Sequence, residues 1–298
     1  ATRSPARLRR DLTDAVLPRL SAAAHGTIAL YQLPRVAPRS RVMASSVRGI
    51  VREIARHPDW SITWPSSRVP RGAAPSPAGG VEGLVEPLLG PAPPGDPGST
   101  FIFPTMSRVE SSGLALDLLG ESTRAIGVTD ARRALLRAAA WSMLQDTPDH
   151  APYGWSHCLT LPQAALGIAG QASDPSTAIA VAATYVLGFR ATLGRVTLDP
   201  RWSPAPSGPT DVLDALRAGP AEAAAAVWHA CADDLVAITA RLATAAAVHP
   251  DAHLAKYTLA CFDAAHADPG AGRLYLAAAA FLGAWWAQLP LTHDPLLG

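Results

Sequence analysis

The chain contains no asparagine and one lysine, Lys256; the other 24 of its 25 basic residues are arginine. Charged residues make up only 16% of the 298 positions and the net charge is +1, so the basic stripe of a nucleic-acid binder is missing. Basic residues gather chiefly in the first ten, ATRSPARLRR, which read as a solvated arm. No continuous apolar core adjoins that arm, so no secretory signal is expected. Three cysteines, Cys158, Cys231 and Cys261, form an odd set without CxxC spacing, which argues against a disulfide framework and for a reducing, cytoplasmic location. The longest apolar runs, 177–189 and 274–287, fall short of the roughly 20 residues of a membrane span and read as buried helices, with no membrane partner. Neither GxGxxG nor GxxxxGK[ST] occurs, so no nicotinamide, flavin or phosphate-loop site is expected.

What is present is helical periodicity. Apolar residues recur at three- and four-residue spacing over 11–33, 40–57, 107–122 and 129–146. Further helices are expected at about 161–171, 175–192, 209–218, 219–247, 250–267 and 271–288, with Gly219-Pro220, Pro250 and Gly270 as punctuation. No alternating run is long enough to build a sheet. The expected fold is a single all-α domain over 1–298, a multi-helix bundle with long Pro/Gly-rich covering loops. The chief of these, 58–106, carries Trp60, Trp64, Phe101 and Phe103, enough aromatic surface to dock as an ordered lid; 197–211 is a smaller version.

The lone lysine sits in VHPDAHLAKYTLACFDAAH, residues 248–266. If this stretch is helical, His249, His253 and Lys256 share a sector of roughly 60°. A lysine there can pair with Asp251 or Asp263 at the surface, act as an amine of lowered pKa, or take up carbon dioxide as a carbamate. The carbamate is an anionic oxygen ligand, which makes the neighbouring imidazoles informative. His157 precedes a helix beside Trp155, and His25 lies within the first long helix, about 140° from its apolar arc. His229 shares a stripe with Glu222 and Asp233, and Asp233 at i+4 could orient its ring. Imidazoles with one anionic oxygen suit Fe, Zn, Ni or Cu better than Mg or Ca. Without HExxH or HxD spacing, such a site must be assembled from distant helices. A mixed Cys/His zinc site is the competing arrangement. Tyr153, Trp155 and other aromatics concentrate in the same half, where they serve as core or as walls for a flat aromatic substrate.

His25, the segment HCLT with His157 and Thr160, and the D-x-H-x-x-K of Asp251, His253 and Lys256 together resemble the questin oxidase-like family. The resemblance implies an all-helical oxygenase that opens or hydroxylates aromatic polyketides of the quinone or phenol kind. It implies Fe(II), with zinc as the alternative, held by His25, His157, His253 and carbamylated Lys256. His229 or His249 would supply a further imidazole, with Glu110 standing where the family pattern has a histidine. Dioxygen would be co-substrate, electrons would come from the substrate, and Thr160 or Tyr257 would position its hydroxyl. Tyr153 and Trp155 are candidate substrate contacts, and homo-oligomer formation is left open. Two other readings remain: a zinc hydrolase or cyclase with His157 as acid/base, and a non-enzymatic helical scaffold.

Overall fold

A computed structural model describes residues 5–20, 24–36, 48–49, 51–52, 61–63, 81–91, 101–120 and 122–288. Among these residues the chain is all-helical, and the single extended feature is an isolated antiparallel bridge between Arg19 and Ser61. Contacts divide it into two compact units, one of residues 1–136 and 160–194, the other of residues 137–159 and 195–298.

The first unit contains α1 (Pro5–Val16), α2 (His25–Val36), α3 (Val81–Leu89), α4 (Ile102–Ser111), α5 (Leu114–Leu119), α6 (Ser122–Ala125) and α9 (Pro175–Leu193). Its axis is α9, started by Asp174, whose carboxylate accepts the Ser176 N–H, and by Pro175 in the first turn. α9 is apolar on nearly every face and packs on α3, α4, α5 and α6. It is long and apolar enough to cross a membrane, but 83% of that stretch is buried inside the protein, as in a core helix. Arg190 on α9 is fully buried; its guanidinium donates to the carbonyls of Leu88 (3.1 Å) and Gly90 (2.9 Å), closing the end of α3.

The second unit is built on α14 (Gly272–Ala287), against which α10 (Val212–Ala218), α11 (Pro220–His229), α12 (Leu235–Ala247) and α13 (Ala252–Ala267) pack. The alanine runs Ala223–Ala226 on α11 and Ala277–Ala280 on α14 are buried, and their small side chains let the two backbones approach closely. α7 (Val128–Gln145) and α8 (Ser156–Ile168) each supply residues to both units.

Three expected helices are interrupted. The span 11–33 divides into α1 and α2 around Pro18, and Ala24 adopts φ of 61° immediately before α2. His25 therefore opens a helix, and its angular position measured from Leu20 does not apply. The span 107–122 breaks at Gly113, whose φ of 76° is left-handed. The span 219–247 turns through 116° after His229. There Arg273 of α14 donates to the carbonyls of Trp228 (2.6 Å) and Ala230 (2.7 Å), acceptors a continuing helix would have used.

Most of 58–106, with Trp60 and Trp64, lies outside the described residues, as does most of 40–57. Within the former, Val81–Leu89 is the helix α3, and Phe101 and Phe103 are exposed rather than docked.

Candidate metal centre

The approach to α8 is a single π-type turn, Ala151–Trp155, which delivers His157 into the interior. Such turns insert an extra residue and commonly re-aim side chains at functional positions. Trp155 anchors the turn, fully buried, with its indole N–H on the Thr147 carbonyl at 3.3 Å. The Ser156 hydroxyl donates to the Pro152 carbonyl. The imidazole of His157 sets Nδ1 at 2.5 Å from the Tyr153 carbonyl oxygen, an acceptor only, so Nδ1 carries the proton. Its Nε2 then presents a lone pair, and the Lys256 amine lies 2.9 Å away, donating to it. This pairing crosses 99 positions of sequence.

Asp251 organises the other side. It caps α13 by accepting the His253 backbone N–H at 2.7 Å, and the same oxygen accepts Nδ1–H of the His253 ring at 2.8 Å. Its second oxygen accepts the Tyr153 hydroxyl at 3.0 Å. Burial works against ionisation of Asp251, but these donors outweigh it and hold the carboxyl below its ordinary range. His253 is thereby fixed in the tautomer that frees Nε2, the carboxylate–imidazole pairing typical of metal-ligating histidines. Burial and then the Lys256 charge push His253 down, against the pull of Asp251. The rings of His157 and His253 stand 5.2 Å apart, and Tyr153 meets His253 edge-on at 4.9 Å.

Lys256 follows His253 by three residues on one face of α13, as the spacing predicts. Burial lowers its pKa to about 7, partly offset by Asp251. His157 and His253, both of the second unit, each offer one ring nitrogen within 4.8 Å of the other, an arrangement that can hold a metal ion and is consistent with a metal-dependent enzyme; the third histidine, His25, opens α2 in the first unit. His157 is buried and the other two are half-buried.

The remaining candidates occupy other surroundings. His249 precedes α13, so the helical arithmetic that placed it beside Lys256 does not reach it; its ring packs on Trp286 at 5.1 Å, and its Nδ1 accepts the Asp251 N–H at 3.1 Å. His229 is exposed, with Nε2–H on the Pro204 carbonyl at 2.8 Å. The helix ends there, so Asp233 is not one turn on, and the orienting role expected of it does not arise. Glu110 accepts the hydroxyl of Thr63 at 2.7 Å. Thr160 is buried one turn beyond His157. Tyr257 is fully buried, its hydroxyl pushed far up by burial and by Cys261 beside it. Cys158 and Cys261 are buried and Cys231 exposed, and among the described residues the metal-binding group contains no cysteine.

Two roles differ from those expected, in which Asp251 belongs to the D-x-H-x-x-K motif and pairs with Lys256, and Tyr153 contacts the substrate. Asp251 was legible as a helix cap two positions before a histidine. The Tyr153 carbonyl had no sequence signal, because any residue carries one. No family model matches the chain, and no curated protein or solved structure matches it either.

Proposed function

We propose that the chain is a non-haem iron oxygenase acting on an electron-rich aromatic substrate of the phenol, quinol or quinone kind, with dioxygen as co-substrate. The observation that carries this is the meeting of the sole lysine with His157, at 2.9 Å, beside the ring of His253. Nε2 of His157 is a metal ligand only if the Lys256 amine releases it. A carbamate achieves that: the neutral amine adds to carbon dioxide, a C–N bond forms, one proton leaves, and a hydrogen-bond donor becomes an anionic oxygen. Arginine cannot make this group, which accounts for a lysine in a chain that otherwise uses arginine for cationic charge.

The donor set fits the metal chemically. Both His157 and His253 donate Nδ1–H to an oxygen acceptor, which leaves the ring lone pair on Nε2. With imidazoles and one carbamate oxygen as donors, iron or zinc is preferred over magnesium or calcium. Iron in such a centre supplies the one-electron chemistry through which dioxygen reacts with a closed-shell phenolate. The chain's own part is to hold and orient. Asp251 fixes the His253 ring, the Tyr153 carbonyl fixes His157, and the aromatic surface of Tyr153 flanks His253. The resemblance to the questin oxidase-like family supports the same assignment, with oxidative ring opening or hydroxylation as the outcome and the substrate as electron source.

The same donors serve zinc, and a zinc hydrolase or cyclase is the second reading. Elemental analysis of the purified protein beside Lys256→Ala and Lys256→Arg separates them. About one iron per chain, lost in both variants, with a carbamate signal after ¹³C-bicarbonate labelling and oxygen uptake with a naphthoquinol probe, is the expected result. Zinc without oxygen uptake moves the assignment to the hydrolase, and the absence of any metal overturns both.

A further inference from the structure

A cleft of about 740 Å³ opens in the second unit, lined by residues of α7, α11, α12, α13 and α14. That volume suits a small organic ligand. Three aromatic residues line it: Trp141, buried on α7, and the half-buried Trp228 and Phe262. Trp228 is braced edge-on by Trp202 at 6.0 Å, so its ring is a positioned wall. A Cβ added at Gly272, on the cleft's rim, would meet no atom within 4 Å.

The charges are unequal. Arg137 is neutralised by the buried Asp268 in a bidentate pair at 2.7 and 2.8 Å, and Asp268 also accepts the Tyr275 hydroxyl at 3.3 Å. Arg273 has no carboxylate partner among the described residues. Its Nη1 is pinned by the carbonyls of Trp228 and Ala230, and the rest of the guanidinium makes no hydrogen bond among the described residues. A cap at the end of α11 needs only that one nitrogen. A half-buried guanidinium held at one end, in a cleft with aromatic walls, is arranged for a planar anion, with Nε–H and an Nη2–H left to pair with a carboxylate.

This cleft is not the metal centre. Phe262 and Ala265, which line it, lie about 120° and 180° round α13 from Lys256 and about 9 and 14 Å along the helix. We propose that the cleft is a second ligand site, specific for a planar aromatic carboxylate, with Arg273 taking the carboxylate and Trp228 and Phe262 flanking the ring.

Isothermal titration with 2-naphthoate and its neutral counterpart 2-naphthylmethanol tests this on the full chain as purified. Naphthoate is expected to bind one per chain, about tenfold or more tighter than the alcohol. Arg273→Gln should remove that preference and leave the alcohol's affinity unchanged. Gly272→Leu, which projects into open space and keeps the helix, should abolish binding of both; it decides the matter if Arg273→Gln does not fold. Failure of naphthoate to bind, equal affinity for acid and alcohol, or naphthoate binding untouched by Gly272→Leu would each overturn the proposal. The last outcome would place the ligand at the metal centre instead, whereas loss of metal in Lys256→Ala bears only on the oxygenase assignment.

Discussion

Asp251 performs two separable tasks, and Asp251→Ala and Asp251→Asn pull them apart. As a helix cap it accepts the His253 N–H, a role in which loss to alanine costs about 1 kcal/mol and asparagine substitutes with little penalty. Its second oxygen holds the Tyr153 hydroxyl through a charge-assisted bond worth roughly 1.5–3 kcal/mol. Asp251→Ala should therefore cost about 2–4 kcal/mol of stability in the metal-free protein, measured by urea unfolding in chelator. Asp251→Asn keeps the cap and should recover at least about 1 kcal/mol of that loss. The second task is holding Nδ1–H of His253 so that Nε2 faces the centre. An asparagine oxygen can still accept that N–H, but without the negative charge it holds the ring more weakly and leaves Nε2 less basic. Both variants should then bind metal about 10- to 100-fold more weakly, some 1.4–2.7 kcal/mol, in a competition titration with a chromogenic chelator. Stability lost in Asp251→Ala with wild-type metal affinity in both would refute the reasoning and leave Asp251 a helix cap alone.

Three further outcomes follow from the geometry. In chelator, Lys256→Met should stabilise the protein by a few kcal/mol at or below about pH 7, where the wild type buries an ammonium; the gain should shrink between pH 7 and 10.5, where the unfolded chain still binds the proton that the folded chain has released. A flat difference across that window in paired thermal melts would contradict the assigned burial. Addition of iron or zinc at about 100 times Kd should stabilise the wild type by about 2.7 kcal/mol, and chelator should reverse the shift. Gly167→Ala, which helix propensity alone would favour, should instead cost about 1–3 kcal/mol in urea unfolding, because its Cβ would fall 2.2 Å from the rigid Tyr31 ring.

The helical class and the α13 segment were legible because both depend on short-range periodicity. Asp251, His253 and Lys256 sit within six residues, so one helix suffices to bring them together, and the cap residue announces where that helix starts. The same arithmetic failed wherever the helix it assumed was not continuous. His249 lies before the first turn of α13, His25 opens α2 rather than lying mid-helix, and Asp233 lies beyond the bend after His229.

That bend marks the boundary of what local sequence can encode. Nothing in AEAAAAVWHACADDL stops a helix by propensity; Arg273, more than forty residues later, stops it by taking two carbonyls. Likewise Lys256 stands out by composition alone, as the sole lysine among arginines, and its spacing to His253 follows from helical geometry. Its partner does not. Only the packing of the second unit brings α13 against the π-type turn before α8 and sets the amine 2.9 Å from His157 across 99 positions. Periodicity fixes which face a side chain occupies, because backbone hydrogen bonds are local; which faces meet depends on contacts summed over the whole chain.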